Sequence, residues 1–94
     1  MSLTKPIPLK TRLIISEDPY YRTCARKNSE CSGRITIEHA ITYAGRRISD
    51  LWGLIPLCWY HHLGEGLNKA INRRLAFARA TARDLQKYPR LKIM

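Results

Sequence analysis

Three histidines and three cysteines carry most of the chemistry open to this chain, and four of the six fall in two short runs. One run, Ile35-Thr36-Ile37-Glu38-His39-Ala40, ends an apolar alternation on a carboxylate beside an imidazole. The other, Pro56-Leu57-Cys58-Trp59-Tyr60-His61-His62, ends on Cys-x-x-His-His. Cys24, Cys31, Cys58 and His61 are soft or borderline ligands that could close a tetrahedral site of the kind Zn²⁺ adopts in a structural role. Cys58-x-x-His61 has the spacing of a ligand half-site, whereas six residues separate Cys24 from Cys31 and demand a wider loop than the usual run of about two to four. The competing reading is that the thiols are small buried hydrophobes. If His61 takes the zinc, His62 is turned away from it by about 100° on a helix and is free for a second site. Glu38 offers a hard oxygen there, and with His62 it could hold Mg²⁺ or a transition metal while leaving room for water and phosphate. His39 suits a general base, because imidazole titrates near neutrality. Glu38-His39 alone would read as a polar strand end, and it is the neighbouring ligands that give it weight.

Composition narrows the partners. The 94 residues carry 17 Lys+Arg against 7 Asp+Glu, a formal charge of +10, which favours a polyanion bound through phosphate contacts and counterion release. Nucleic acid is the expected partner. A membrane is not, since no run approaches the roughly 20 apolar residues of a span. Met1 to Lys10 holds two prolines and no apolar signal-peptide core, so a reducing cytoplasm is expected, where an odd number of cysteines reads as thiolate ligands rather than disulfides.

One small α+β domain spanning residues 1–94 should position these groups, and a metal would add substantially to its stability at this length. Residues 1–10 read as a loosely held extended arm, because Pro6 and Pro8 push their preceding residues away from helix. Leu9 to Ile15 suits a short helix. Asp18-Pro19 starts another helical segment that leads through Tyr20, Tyr21 and Arg22 to Cys24. Ala25 to Glu30 forms a polar loop with a turn at Asn28-Ser29. Ile35 and Ile37 alternate with polar residues as in a half-buried strand that delivers Glu38 and His39 to its end. The connection 40–53 has room for a helical turn around Ile48 to Trp52. Leu54 to Leu57 is the second strand, with Pro56 confining it to an edge or a terminus. Leu67, Ile71, Leu75, Ala78, Ala82 and Leu85 then recur at helical spacing, predicting one helix over 67–88. Lys69, Arg73, Arg79, Arg83 and Lys87 lie on its opposite face, and Pro89 ends it ahead of a short basic tail at 90–94.

From Cys24 to Lys69 the chain resembles the HNH endonucleases, whose fold is a ββα-metal core. In that family a Cys pair precedes a strand ending in Asp-His or Glu-His. A second strand of the type Asn-Leu-x-x-Leu-Cys then runs into Cys-x-x-Cys-His at a helix start. Glu38-His39 is similar to the first element, and Gly53-Leu54-Ile55-Pro56-Leu57-Cys58-Trp59-Tyr60-His61-His62 to the second. Small phage-encoded members look especially similar, which implies the cytoplasm of a bacterial or phage-infected cell. The resemblance implies His39 as general base, Glu38 and His62 on a catalytic divalent ion such as Mg²⁺, Mn²⁺ or Ni²⁺, and Cys24, Cys31, Cys58 and His61 on structural Zn²⁺. Two positions depart from the pattern. His61 replaces the last family cysteine, and Cys₃His sites bind zinc well. Gly53 stands where the family has an asparagine that can help fix the loop or the metal, with Asp50 and Asn68 as candidate substitutes.

The function expected on these grounds is a DNA endonuclease or nickase working with a single metal. Arg46 and Arg47 are candidates for gripping phosphate through their planar forks, against the plain reading of a solvated loop. Lys69, Arg73, Arg79 and Arg83 are candidates for DNA-backbone contact, against a solvated helix face. Trp52, Trp59 and Tyr60 could stack on bases or pack the core. A second function class is a zinc-stapled DNA- or protein-binding module without catalysis, and a third is a small regulator acting on a host protein through its basic surface. One domain offers one site, so cutting both strands would require a homodimer or two visits.

Overall fold

The alternation at Ile35 to Glu38 and the apolar run at Leu54 meet as the centre of the structure. In the computed structural model, which describes residues 3–4 and 6–91, β2 (Ile35–His39) pairs antiparallel with β5 (Leu54–Cys58). The register sets Ile35 opposite Cys58 and His39 opposite Leu54, so the reactive ends of the two strands lie at opposite ends of the ladder. Every residue of β5 is buried, and Ile41, Ile48, Trp52, Ile55, Leu57 and Ala76 make the apolar core around it. Pro56 has no N–H to give the ladder, and its carbonyl accepts from Ala25 N–H at 2.8 Å, tying the first cysteine loop to the strand. The whole is a small α+β chain with a Cα radius of gyration of 13.0 Å, close to the roughly 13 Å of a compact 100-residue domain.

Around this pair stand shorter elements. β1 (Leu3–Thr4) runs parallel to β4 (Arg46–Arg47), which pairs antiparallel with β3 (Thr42–Tyr43). Part of the expected loose arm is therefore a paired strand, and residues 1, 2 and 5 lie outside the described residues. The β3–β4 hairpin closes through Ala44 (φ 52°) and Gly45 (φ 79°), the left-handed pair that a two-residue turn matched to strand twist requires. Helix α1 (Leu9–Glu17) has no buried residue and stands on the surface. Asp18 caps the 3₁₀ turn Pro19–Arg22, its Oδ1 accepting from Tyr20 N–H at 3.0 Å. A second 3₁₀ turn, Leu51–Gly53, leads into β5. No helix among the described residues is long and apolar enough to cross a membrane.

The single helix predicted over 67–88 is two helices. Helix α2 (Trp59–His62) follows β5 directly, α3 (Lys69–Phe77) starts at Asn68, and α4 (Ala82–Gln86) starts at Thr81. Thr81 Oγ1 accepts from Asp84 N–H at 3.1 Å, and Asp84 Oδ2 accepts from Thr81 N–H at 2.9 Å. This capping box supplies side-chain partners to two amides that a continuous helix would bond to carbonyls one turn back, so the chain breaks between Phe77 and Thr81. The buried face of α3 is Asn72 and Ala76, while Leu67, Ala78 and Ala82 of the expected stripe are exposed. Nor is the cationic face uniformly solvated. Arg79 lies over the Tyr20 ring at 3.9 Å and donates to the Tyr21 hydroxyl at 2.8 Å, joining the end of α3 to the 3₁₀ turn before Cys24. Residues 92–94 of the expected basic tail lie outside the described residues.

The far end of the chain is fastened by Tyr88, whose hydroxyl donates to Asp50 and whose ring meets Tyr43 at 5.0 Å and Trp52 at 6.2 Å. Burial, the bond to Asp50 and that carboxylate's charge push the Tyr88 phenol above its ordinary value of 10.0. The fold thus favours the neutral phenol, and the contribution is complete below pH 10.0 and lost as pH rises through the folded-state value. Tyr88→Phe should lower stability by about 1–2 kcal/mol in a urea titration at neutral pH. It should also flatten the alkaline loss of stability that the wild type shows; equal alkaline slopes in the two proteins would mean the bond is not made in solution.

Candidate metal centre and adjoining cleft

Cys24 leaves the first 3₁₀ turn, Cys31 ends the polar loop, and Cys58 closes β5 one residue before His61's helical turn. Asn28 shapes the loop between the first two, its Oδ1 accepting from Glu30 N–H at 2.9 Å and its carbonyl from Cys31 N–H at 3.2 Å. The result is that the ligand atoms of Cys24, Cys31, Cys58 and His61 all lie within 4.8 Å of one another. His61 Nδ1 stands 3.5 Å from Cys24 Sγ, 3.6 Å from Cys31 Sγ and 3.2 Å from Cys58 Sγ. One ring nitrogen cannot make three hydrogen bonds at once. With Zn–S of about 2.3 Å and Zn–N of about 2.0–2.1 Å, tetrahedral coordination separates nitrogen from sulfur by about 3.6 Å. The Cys24 and Cys31 distances match that spacing, the Cys58 distance is somewhat shorter, and the group could hold a metal ion such as zinc.

Backbone donors already favour thiolate at this centre. Burial alone would raise the Cys58 thiol, but the N–H groups of His61 and Ser32, with the His61 and Cys31 side chains, bring it down to about 6. Burial keeps the Cys24 thiol above its ordinary value, against the backbone donors of Cys58 and Arg26. The wide spacing between the first two cysteines is braced from outside. Arg26 Nη1 donates to Gly66 carbonyl at 2.5 Å, and the Tyr60 hydroxyl donates to Glu30 at 3.1 Å.

His62, next along α2, is turned to a different neighbourhood. Thr36 Oγ1 donates to Leu57 carbonyl at 2.9 Å, and the same oxygen lies 2.5 Å from His62 Nδ1. With the Thr36 proton committed to the carbonyl, His62 Nδ1–H is the donor, and Nε2 is the ring nitrogen left for a second partner. That nitrogen faces Glu38 Oε1 at 3.8 Å, too far for a hydrogen bond. Glu38 is one of the polar residues that alternate with Ile35 and Ile37 along the strand. It is 8% exposed, because its side of the strand is roofed by α2.

Both residues line a cleft of about 230 Å³ together with His39, Thr42, Arg47, Leu63, Leu67, Lys69 and Asn72. His39 Nε2 is buried with no hydrogen-bond partner. Burial first, then the charges of Arg47 and His62, lower the His39 pKa, so its ring is held neutral. The structure therefore brings Glu38, His39, His62, Arg47 and Lys69 together. No protein-family model, no curated protein and no solved structure matches the chain.

Other expected site residues fall elsewhere. Arg46 is exposed on β4 and does not line the cleft. Arg73 lies over Phe77 at 5.1 Å, Arg79 is held by the tyrosines, and Arg83 is exposed on α4. Trp52 is core, packed 5.7 Å from Phe77, and Tyr60 sits edge-on to His61 at 5.1 Å, whereas Trp59 is about half exposed. Neither candidate substitute for the asparagine at Gly53 reaches the cleft. Asn68 caps α3 by accepting from Ile71 N–H at 3.2 Å, and Asp50 accepts from Tyr88. Gly53 itself fastens the loop through its backbone, its carbonyl accepting from Ala40 N–H at 2.9 Å directly after His39. A Cβ there would come within 3.2 Å of Ile48 Cδ1, so any side chain would crowd the core. Asn72 was missed: it lies past Lys69, on a helix read for its apolar stripe and its cationic face.

Removing the metal should be more damaging than removing any one charge on the surface. Cys58→Ser, or a strong chelator, should abolish the cooperative thermal transition followed by circular dichroism and release one zinc per chain. A Cys58→Ser protein that melts like the wild type without zinc would show that the cluster is ordinary core packing.

Proposed function

We propose that this chain is a metal-dependent DNA endonuclease or nickase, an HNH-type protein with a ββα-metal core made by β2, β5 and α2. The observation that carries the reading is the pair His62 Nε2 and Glu38 Oε1, 3.8 Å apart, beside the unpartnered His39 Nε2 in one cationic cleft. With His62 neutral, an imidazole nitrogen and a carboxylate oxygen facing each other suit a divalent cation such as Mn²⁺, Ni²⁺ or Mg²⁺. Glu38 and His62 would hold that ion, which when bound supplies positive charge to a phosphodiester and to its departing oxygen.

The protein's own groups account for the rest. His39, kept neutral by burial and by Arg47, accepts a proton from water as the water attacks phosphorus. Thr36 fixes the His62 ring so that Nε2, not Nδ1, faces Glu38. Arg47 and Lys69 line the same cleft and are placed to hold non-bridging phosphate oxygens, Arg47 through its fork. The formal charge of +10 supports DNA as the polymer that brings the phosphodiester. Arg46 and Arg83, exposed outside the cleft, and Arg73 extend the candidate backbone contacts.

Nicking of supercoiled plasmid with Mg²⁺, Mn²⁺ or Ni²⁺ tests this directly. The wild type should nick, and His39→Ala should lose at least about 100-fold in rate while retaining its melting temperature and its zinc. Equal rates for the two proteins would defeat the enzymatic reading. DNA binding without nicking would leave a zinc-stapled binding module.

A further inference from the structure

Asn72 lines the cleft but has no part in the reaction proposed above. It is 1% exposed, and neither its Nδ2 nor its Oδ1 has a hydrogen-bond partner. Its companion on the buried face of α3 is Ala76, so an apolar residue at 72 would continue that face. An unpaired buried amide costs about 1–3 kcal/mol for each polar group, so this position carries a stability cost that an apolar side chain would avoid. Nothing in the packing repays it. Asn72 does line the cleft, however, where His39 Nε2 is likewise buried and unpartnered.

These unsatisfied groups have complementary chemistry. His39 Nε2, in the tautomer whose proton sits on Nδ1, and Asn72 Oδ1 are both acceptors, and a water molecule has two hydrogens to give. Asn72 Nδ2 is a donor, and a phosphate has non-bridging oxygens to receive it. We propose that Asn72 is a catalytic residue that holds the attacking water jointly with His39 and donates from Nδ2 to the phosphodiester. The inference rests on the endonuclease reading and gives its water a defined position. In the step, a bond forms between the water oxygen and phosphorus while the P–O3′ bond breaks, its electron pair leaving on O3′. The proton on the His39 side moves to Nε2, and O3′ takes a proton from solvent. The second water hydrogen stays on the Asn72 side, which keeps the attacking lone pair aimed at phosphorus. His39 then returns its proton to solvent.

The test compares wild type, Asn72→Leu and Asn72→Ala for melting temperature, zinc content, plasmid binding in EDTA, and kcat and KM for Mn²⁺-dependent nicking. Asn72→Leu replaces an unpaired amide by an apolar group of similar size. It should melt at or above the wild-type temperature, keep its zinc and bind plasmid normally. Its kcat should fall by at least about 100-fold with KM changed less than about threefold, as for loss of a preorganised polar contact. Asn72→Ala should lose kcat similarly and guards against a failure of leucine to fit. Nicking within about threefold of wild type by either folded variant overturns the inference and leaves the endonuclease reading standing. Loss of activity that tracks loss of zinc or of the melting transition in both variants also overturns it, by making Asn72 structural. No nicking by the wild type with any metal overturns both.

Discussion

Two consecutive residues on one helical turn cannot face the same way, and the site is built on that constraint. His61 and His62 are separated by about 100° around α2, so fixing one ring fixes the direction of the other. His61 Nδ1 is placed against three cysteine sulfurs at 3.2 to 3.6 Å. That leaves His62 to turn over β2, where Thr36 takes its Nδ1–H and Glu38 meets its Nε2. A metal among Cys24, Cys31, Cys58 and His61 would thus do more than staple a small core. It would lock α2 at the end of β5 and set the geometry of the cleft next door.

The cleft gathers groups that would each be costly to bury alone. Glu38 is nearly buried, His39 Nε2 and both amide atoms of Asn72 lack partners, and Arg47 stands close enough to lower the His39 pKa. A protein selected for stability alone would fill such a space with apolar side chains or pair its polar atoms. Of the buried side-chain atoms without a partner among the described residues, those of His39 and Asn72 gather in this one cleft while Trp52 Nε1 lies outside it, a concentration that suits a site completed by a ligand. Gly53 has a backbone part beside the cleft. Its carbonyl pins the residue after His39, and the space a side chain would need is taken by Ile48 and Ile41.

Much of this was legible in the residues themselves. Ligand type and the Cys58-x-x-His61 spacing picked out the four residues that could hold a metal despite the wide spacing of Cys24 and Cys31, because all three thiols converge on His61. Alternation at Ile35 and Ile37 located β2, and the apolar run at Leu54 located β5. The stretch after Lys69 was less readable. Apolar spacing carried straight through Ala78 and Ala82, whereas the Thr81–Asp84 capping box is a local competition between side chain and backbone that spacing does not register. The hairpin at 42–47 was hidden because Ala44 adopts a left-handed conformation that alanine seldom takes. Arg79 read as a solvated cation because its partners, Tyr20 and Tyr21, are distant in sequence. Asn72 was hidden for a similar reason, since burial without a partner is a property of the assembled fold.

The division of labour between adjacent histidines is the centre of the account, and crystallography with anomalous scattering tests it most directly. Crystals of the zinc-loaded protein soaked in Mn²⁺ should show a zinc peak bounded by Cys24, Cys31, Cys58 and His61 Nδ1. A separate manganese peak should lie between Glu38 and His62 Nε2. A single peak shared by His61 and His62, or manganese absent from Glu38 and His62 at saturating concentration, would contradict it.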